Sequence, residues 1–192
     1  SLTLVSLIAT LYTKVFFLVQ TELKVGFQKV FQSKLMNITP LLDYLSDTQH
    51  LILQARLLAP FKDIFIKEFI RHINIMFVEE LTNPSQSNCT MEIGINTTMM
   101  MCYLDDYCRA NEVFKKVTRD DFTVINETSR LLLLNDKSVI IEDDARANIC
   151  PHLTLGKITA ILENIDANEP SIKKTITRIN ECDITPSNYF NS

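Results

Sequence analysis

Apolar residues recur along this chain at the spacing of one helical face, most clearly between Met99 and Leu134. Met100, Leu104, Tyr107 and Cys108 mark one stripe, and Phe122, Ile125, Leu132 and Leu133 mark a second, with a polar gap between them. The two segments are expected to be neighbouring helices, each with a buried stripe and a charged outer face. Such an arrangement builds a surface rather than a reaction centre.

The same reading extends over the whole chain. Leu2 to Val19 is apolar enough to be mistaken for a membrane span, but Lys14 sits inside it and Ser6, Thr10 and Thr13 interrupt it. The pattern then runs on through Leu23, Phe27, Val30, Phe31 and Leu35 with lysines between, which predicts one long amphipathic helix. No basic leader or close cleavage site marks a signal peptide. Pro40 stops this helix at Asn37-Ile38-Thr39, because proline disfavours helical geometry in the residue before it. Thr39 is expected to cap a short helix to Leu45, and Ser46-Asp47 a further one over His50 to Leu58. From Phe61 to Leu81, residues 61, 64, 65, 69, 73, 76, 77 and 81 fit one face, an aromatic and methionine stripe of core type, with His72 half-buried beside it. Leu81 to Thr90 has loop composition. Thr118 and Asp121 have the spacing of a capping box. Asn135 to Ser138 breaks the chain. A short helix follows over Ile141 to Ile149, then one capped by Thr154, then one opened by Pro170, with a frayed tail from Pro186.

Composition agrees. Only three glycines and six prolines occur in 192 residues, too few turn formers for an all-β protein. The expected class is all-α, an elongated stack of amphipathic antiparallel helices forming one unit over residues 1–192. The chain opens on Ser1 and not Met, and is expected to be a fragment of something longer. A net charge of -4 without a basic run provides no footprint for direct nucleic-acid binding, and no segment is expected to insert in a membrane.

Candidate chemistry is sparse. Five cysteines (89, 102, 108, 150, 182) form no CxxC pair, so neither metal nor cofactor is expected, and reduced, mostly buried thiols fit best. Cys150-Pro151-His152 is the one close Cys/His pairing, and residues two apart around a proline point to different sides. The acidic pairs 105–106, 120–121 and 143–144 diverge on a helix and read as solvated faces or helix starts. Asn37, Asn88, Asn96 and Asn126 begin N-glycosylation triplets. They keep a rival open, a secreted or luminal glycosylated helical binding protein.

Three ordered segments resemble a known family. Leu104-Asp105-Asp106-Tyr107-Cys108-Arg109 is similar to the L-E-E-W-C-K of the dilute (DIL) domain in fungal class V myosin tails. Ser129-Arg130-Leu131-Leu132 resembles that family's A-K-L-L. Glu142-Asp143 followed by Ile149-Cys150-Pro151-His152-Leu153-Thr154 resembles its E-D and I-C-Y-S-L-T. The resemblance implies a DIL-like core over about residues 51–166, in the C-terminal half of a motor's cargo-binding globular tail. The motor and a dimerising coiled coil would lie upstream, in an actin-associated cytoplasmic protein. The implied partners are the other half of the tail and protein adaptors or cargo receptors of organelles, vesicles or mRNA–protein particles, with no chemistry in the module itself.

The departures bear on cargo. The chain has no tryptophan, and Leu81 to Asn88 stands where organelle-carrying members have a basic, tryptophan-containing loop. In the patch that docks vesicle Rab GTPases, Arg130 matches the family lysine. Met99 stands for a tyrosine and Leu133 for a glutamine. Rab docking is therefore expected to be weakened and another adaptor used. The expected partner-binding residues are Met99, Arg109, Lys115, Lys116, Arg119, Arg130 and Leu133, placed around the methionines 99–101.

Overall fold

Phe69, with no exposed surface, organises the interior. Its ring lies 5.5 Å from Phe16, 5.7 Å from Tyr44 and 6.0 Å from Phe114, joining three distant parts of the chain. Two turns further on, Phe77 meets Phe27 edge-on at 5.5 Å and Phe31 at 5.3 Å. Both belong to one helix, and the others are laid around it.

The computed structural model describes residues 2–18, 20–31, 36–83, 90–166 and 170–184. Among them are nine α-helices and no strand, so the all-α expectation holds. They are α1 (Leu2–Leu18), α2 (Gln20–Phe31), α3 (Thr39–Gln54), α4 (Ala59–Leu81), α5 (Thr90–Ala110), α6 (Thr123–Leu132), α7 (Asp143–Ile149), α8 (Leu155–Asp166) and α9 (Pro170–Ile184). Helix α4 packs against α1, α2, α6 and α8, and α9 closes on α8 and on the turn before α7. None of the described helices is long and apolar enough to cross a membrane.

Several boundaries differ from expectation for identifiable reasons. Of the predicted helix over 2–35, residues 2–18 and 20–31 are helical as expected, and Val19 and residues 32–35 lie outside the described ones. Thr39 is not a cap: Ile38 holds that position, and Asn37 Oδ1 accepts from the Thr39 amide at 3.1 Å. The two helices expected between Thr39 and Leu58 are one. Tyr44, Leu45, Thr48 and Ile52 keep a continuous buried stripe through Ser46-Asp47, so there is nothing to interrupt. The turn into α4 places Arg56 at φ 46, the left-handed conformation common just after a helix. Pro40 and Pro60 both sit in first turns, where proline's missing amide costs nothing.

The gap between the two central stripes is not polar inside. Val113, Phe114 and Val117 are buried there beneath Glu112, Lys115 and Lys116. The capping box forms as expected, with the Thr118 amide donating to Asp121 Oδ2 at 2.8 Å. It opens a 3-10 turn (Arg119–Phe122), and α6 begins only at Thr123. Ile141 belongs to a second 3-10 turn (Lys137–Ile141), capped by Asp136, so α7 starts two residues later than predicted. Thr154 caps α8 as expected, accepting from the Lys157 amide at 3.3 Å. The frayed tail predicted from Pro186 lies outside the described residues, as do Pro84 to Cys89 of the predicted loop.

Candidate partner-binding surfaces

Helices α5 and α6 pair antiparallel, because the residues between them are small. Thr98 Oγ1 and Ser129 Oγ share a hydrogen bond at 2.6 Å, and Gly94 lies directly beneath Leu132 and Leu133. Met100, Met101, Leu104 and Cys108 turn inward from α5, and Phe122, Ile125, Leu131 and Leu132 meet them from the α6 side. Leu133 does not belong to the buried stripe. It caps the helix end and stands 45% exposed. Met99 is likewise separated from Met100 and Met101: it is 44% exposed, and its two neighbours are fully buried. The expected methionine edge is thus a single methionine.

That methionine has apolar company. Ile95, Met99 and Tyr103 recur at i, i+4 and i+8 on the outer side of α5, all three exposed, with Leu133 next to Gly94 at one end of the row. Arg130 is exposed on α6, one turn before Leu133. Arg109, at the far end of α5, pairs with Asp105 one turn back and leaves most of its length in solvent. Met99 and Arg109 on α5 and Arg130 and Leu133 on α6 are therefore all exposed on the hairpin, as are Ile95 and Tyr103. Those two were legible in the sequence as apolar residues off the buried stripe.

Lys115, Lys116 and Arg119 lie elsewhere, on the corner that joins α5 to α6. Lys115 pairs with Glu112, and Lys116 reaches across to Asp63 on α4 at 3.3 Å. The corner is held to α4 by Asn74, which is buried. Its Nδ2 donates to the Asp121 carbonyl at 3.0 Å, and its Oδ1 accepts from the Val124 amide at 3.2 Å. Between corner and helix runs a groove of about 790 Å³, with Ile66, Ile70, Val113, Val117 and Val124 among its lining residues. Ile66, Ile70 and Val78 of α4 lie off the predicted stripe and form a second apolar row, the one signal that could have revealed the groove.

The Cys150–His152 pairing resolves into a structural corner. Glu127, 1% exposed, accepts the His152 amide at 2.9 Å and faces its Nδ1 at 2.5 Å, so the imidazole is turned to a carboxylate and not to the thiol. Burial, with the Glu127 charge nearby, pushes the Cys150 thiol up, and burial pushes Cys108 up to about 12. Neither has the lowered pKa of an activated nucleophile. Among the described residues no group of three or more His, Cys, Asp or Glu is placed to hold a metal ion. Of the four glycosylation triplets, Asn37 is exposed and Asn88 lies outside the described residues. Asn96 is 7% exposed and its Nδ2, the atom a glycan would occupy, donates to the Val30 carbonyl at 3.0 Å.

The DIL domain matches residues 64–169, more than half of the chain and all of the α5–α6 hairpin. The chain belongs to the DIL domain family. No curated protein and no solved structure matches it. DIL domains are found in myosin V cargo-binding tails and are themselves non-catalytic. In this DIL domain the matched segment starts within α4, so the hairpin, the Glu127–His152 corner and all of the groove's lining except Lys62 and Asp63 lie on it, and α1 to α3 precede it.

Proposed function

We propose that this chain is the C-terminal, DIL-containing half of a class V myosin globular tail, and that its α5–α6 face docks a protein adaptor. The observation that carries the reading is the exposed row Ile95, Met99, Tyr103 with Leu133, lying within the family match, with Arg130 exposed one turn before Leu133. Large apolar residues flanked by arginine are the usual anchors of protein interfaces, and exposing them in a row costs solubility unless a partner covers them. The upstream parts of such a motor would supply actin-dependent ATPase activity and dimerise through a coiled coil, and the protein would work in the cytoplasm. The buried Nδ2 of Asn96 and the free Cys102, Cys108 and Cys150 support that compartment over a glycosylated, disulfide-bonded one.

Met99 and Leu133 remove two polar or aromatic contacts from the face that docks Rab GTPases in organelle-carrying members, and only the Arg130 charge is kept. Rab binding is accordingly weakened here, and a different adaptor, of vesicles or of mRNA–protein particles, takes its place. Quantitative pull-down with the complete tail tests the reading. Arg130→Glu is expected to lower adaptor recovery by roughly tenfold or more while the melting temperature stays within about 1 °C, because Arg130 is exposed. A large drop in melting temperature would show Arg130 to be structural. Rab affinity equal to that of an organelle-carrying tail would remove the adaptor part of the proposal.

A further inference from the structure

The groove beside α4 is a second surface, on a different side of the hairpin from Ile95, Met99 and Tyr103. We propose that it docks an amphipathic helix of a partner protein, with acidic residues at the end that lies over Lys62, Lys67, Lys115 and Lys116.

Its dimensions suit a helix. Lining residues on α4 run from Lys62 to Glu79, about 25 Å at the rise of an α-helix, which accommodates roughly five turns. The floor is apolar along this length, with Ile66, Ile70 and Val117 toward the middle and Ile75, 39% exposed, toward the far end. A helix presenting apolar residues at i, i+3, i+4 and i+7 covers such a floor. No sheet edge is present among the described residues to pair with an extended peptide.

Charge selects among helices. At the end near the start of α4, four lysines face only Asp63 and Glu112, and Lys62 and Lys67 make no ion pair among the described residues. At the other end, Glu79, Asp120 and Asp121 outnumber Arg71 and Lys157, and Arg71 is already held by Glu68 at 2.8 Å. The groove therefore has a basic end and an acidic end in a protein whose net charge is -4. A nucleic acid or an anionic membrane demands uniform positive charge and is repelled at the acidic end. A helix acidic at one end and basic at the other matches both ends at once.

Selection from a displayed library tests this with the full chain as bait. The library consists of helices of about five turns with a fixed leucine repeat and randomised Glu, Gln and Lys at outer positions. Enrichment of Glu at one end is expected, and re-selection on Lys62→Glu/Lys67→Glu should replace it with Lys. Ile75→Asp should weaken the selected helices by roughly tenfold, the order for a charge placed on an apolar contact, and Met99→Glu should leave them unchanged. Random charge among the binders, or full binding to Ile75→Asp, overturns the proposal. Loss of binding in Met99→Glu would reassign the helices to the α5–α6 face, so this groove and that face fail separately.

Discussion

At the scale of single residues, buried polar groups carry the sharpest consequences. His72 is 7% exposed, stacks on Phe16 at 5.5 Å, and its Nε2 finds no hydrogen-bond partner among the described residues. The expectation of a half-buried histidine was therefore too mild. Burial, helped by the neighbouring Arg71 charge, lowers its pKa to about 4 from an ordinary value of 6.5. Between these values the unfolded chain binds a proton that the folded chain does not. Stability is therefore complete above about pH 6.5 and is lost as pH falls toward 4, by up to about 3 kcal/mol. Urea unfolding at pH 7 and pH 5 should show this loss, and His72→Leu should flatten the pH dependence over the same interval. An unchanged pH profile in His72→Leu would mean that other groups set the acid response. The sequence places His72 beside the α4 stripe but does not reveal its full burial, to which Phe16 of α1, a neighbour far away in the chain, contributes.

At the scale of elements, the sequence was legible wherever an apolar period persists and opaque where burial is tertiary. Helices α5 and α6 could be read from their stripes, and α8 from Thr154 followed by Ile158, Ile161 and Leu162. The 111–117 corner could not, because Asn111, Glu112, Lys115 and Lys116 give it a solvated composition. Phe114 is buried there against Phe69 of α4 and Tyr107 of α5. The candidate surfaces divide in the same way. The α5–α6 face was legible because its residues fall on motifs within one hairpin. The groove was not, since it needs α4, the corner and the start of α8 together. The closeness of α5 to α6 has its own test. A Cβ on Gly94 would stand 3.0 Å from Leu133 Cδ2 and 3.2 Å from Leu132 Cβ, and the second of these cannot swing away. Gly94→Ala should therefore cost about 1 kcal/mol net, with the packing strain exceeding the helix-propensity gain of roughly 1 kcal/mol. Gly156→Ala, with nothing within 4 Å of the new Cβ, should gain about 0.5 kcal/mol. Thermal melts of the pair decide the point, and a stabilised Gly94→Ala would show that the helices can part without cost.

At the scale of the whole molecule, the family match settles what kind of domain this is, and the compartment in which it works remains to be read from its thiols. Four glycosylation triplets keep a secreted protein as a rival on sequence alone, although the cysteine pattern favours reduced thiols. Folding weighs against it: Asn96 is committed to a backbone carbonyl in the α2–α5 contact, and Cys108 and Cys150 are buried free thiols. Only a thiolate attacks a thiol reagent, and burial holds Cys108 near 12 and Cys150 above its ordinary value. In the native protein at pH 8, Cys102, which is exposed, should react at once, and Cys108 and Cys150 only as fast as the domain opens. Unfolding in denaturant without reductant should then release all five cysteines of the sequence as free thiols. A total of one would mean that the remaining four are paired, which would return the chain to an oxidising compartment and end the case for a cytoplasmic motor tail. Prompt reaction of Cys108 in the native state would instead place the fault in the packing of α5, leaving the compartment untouched.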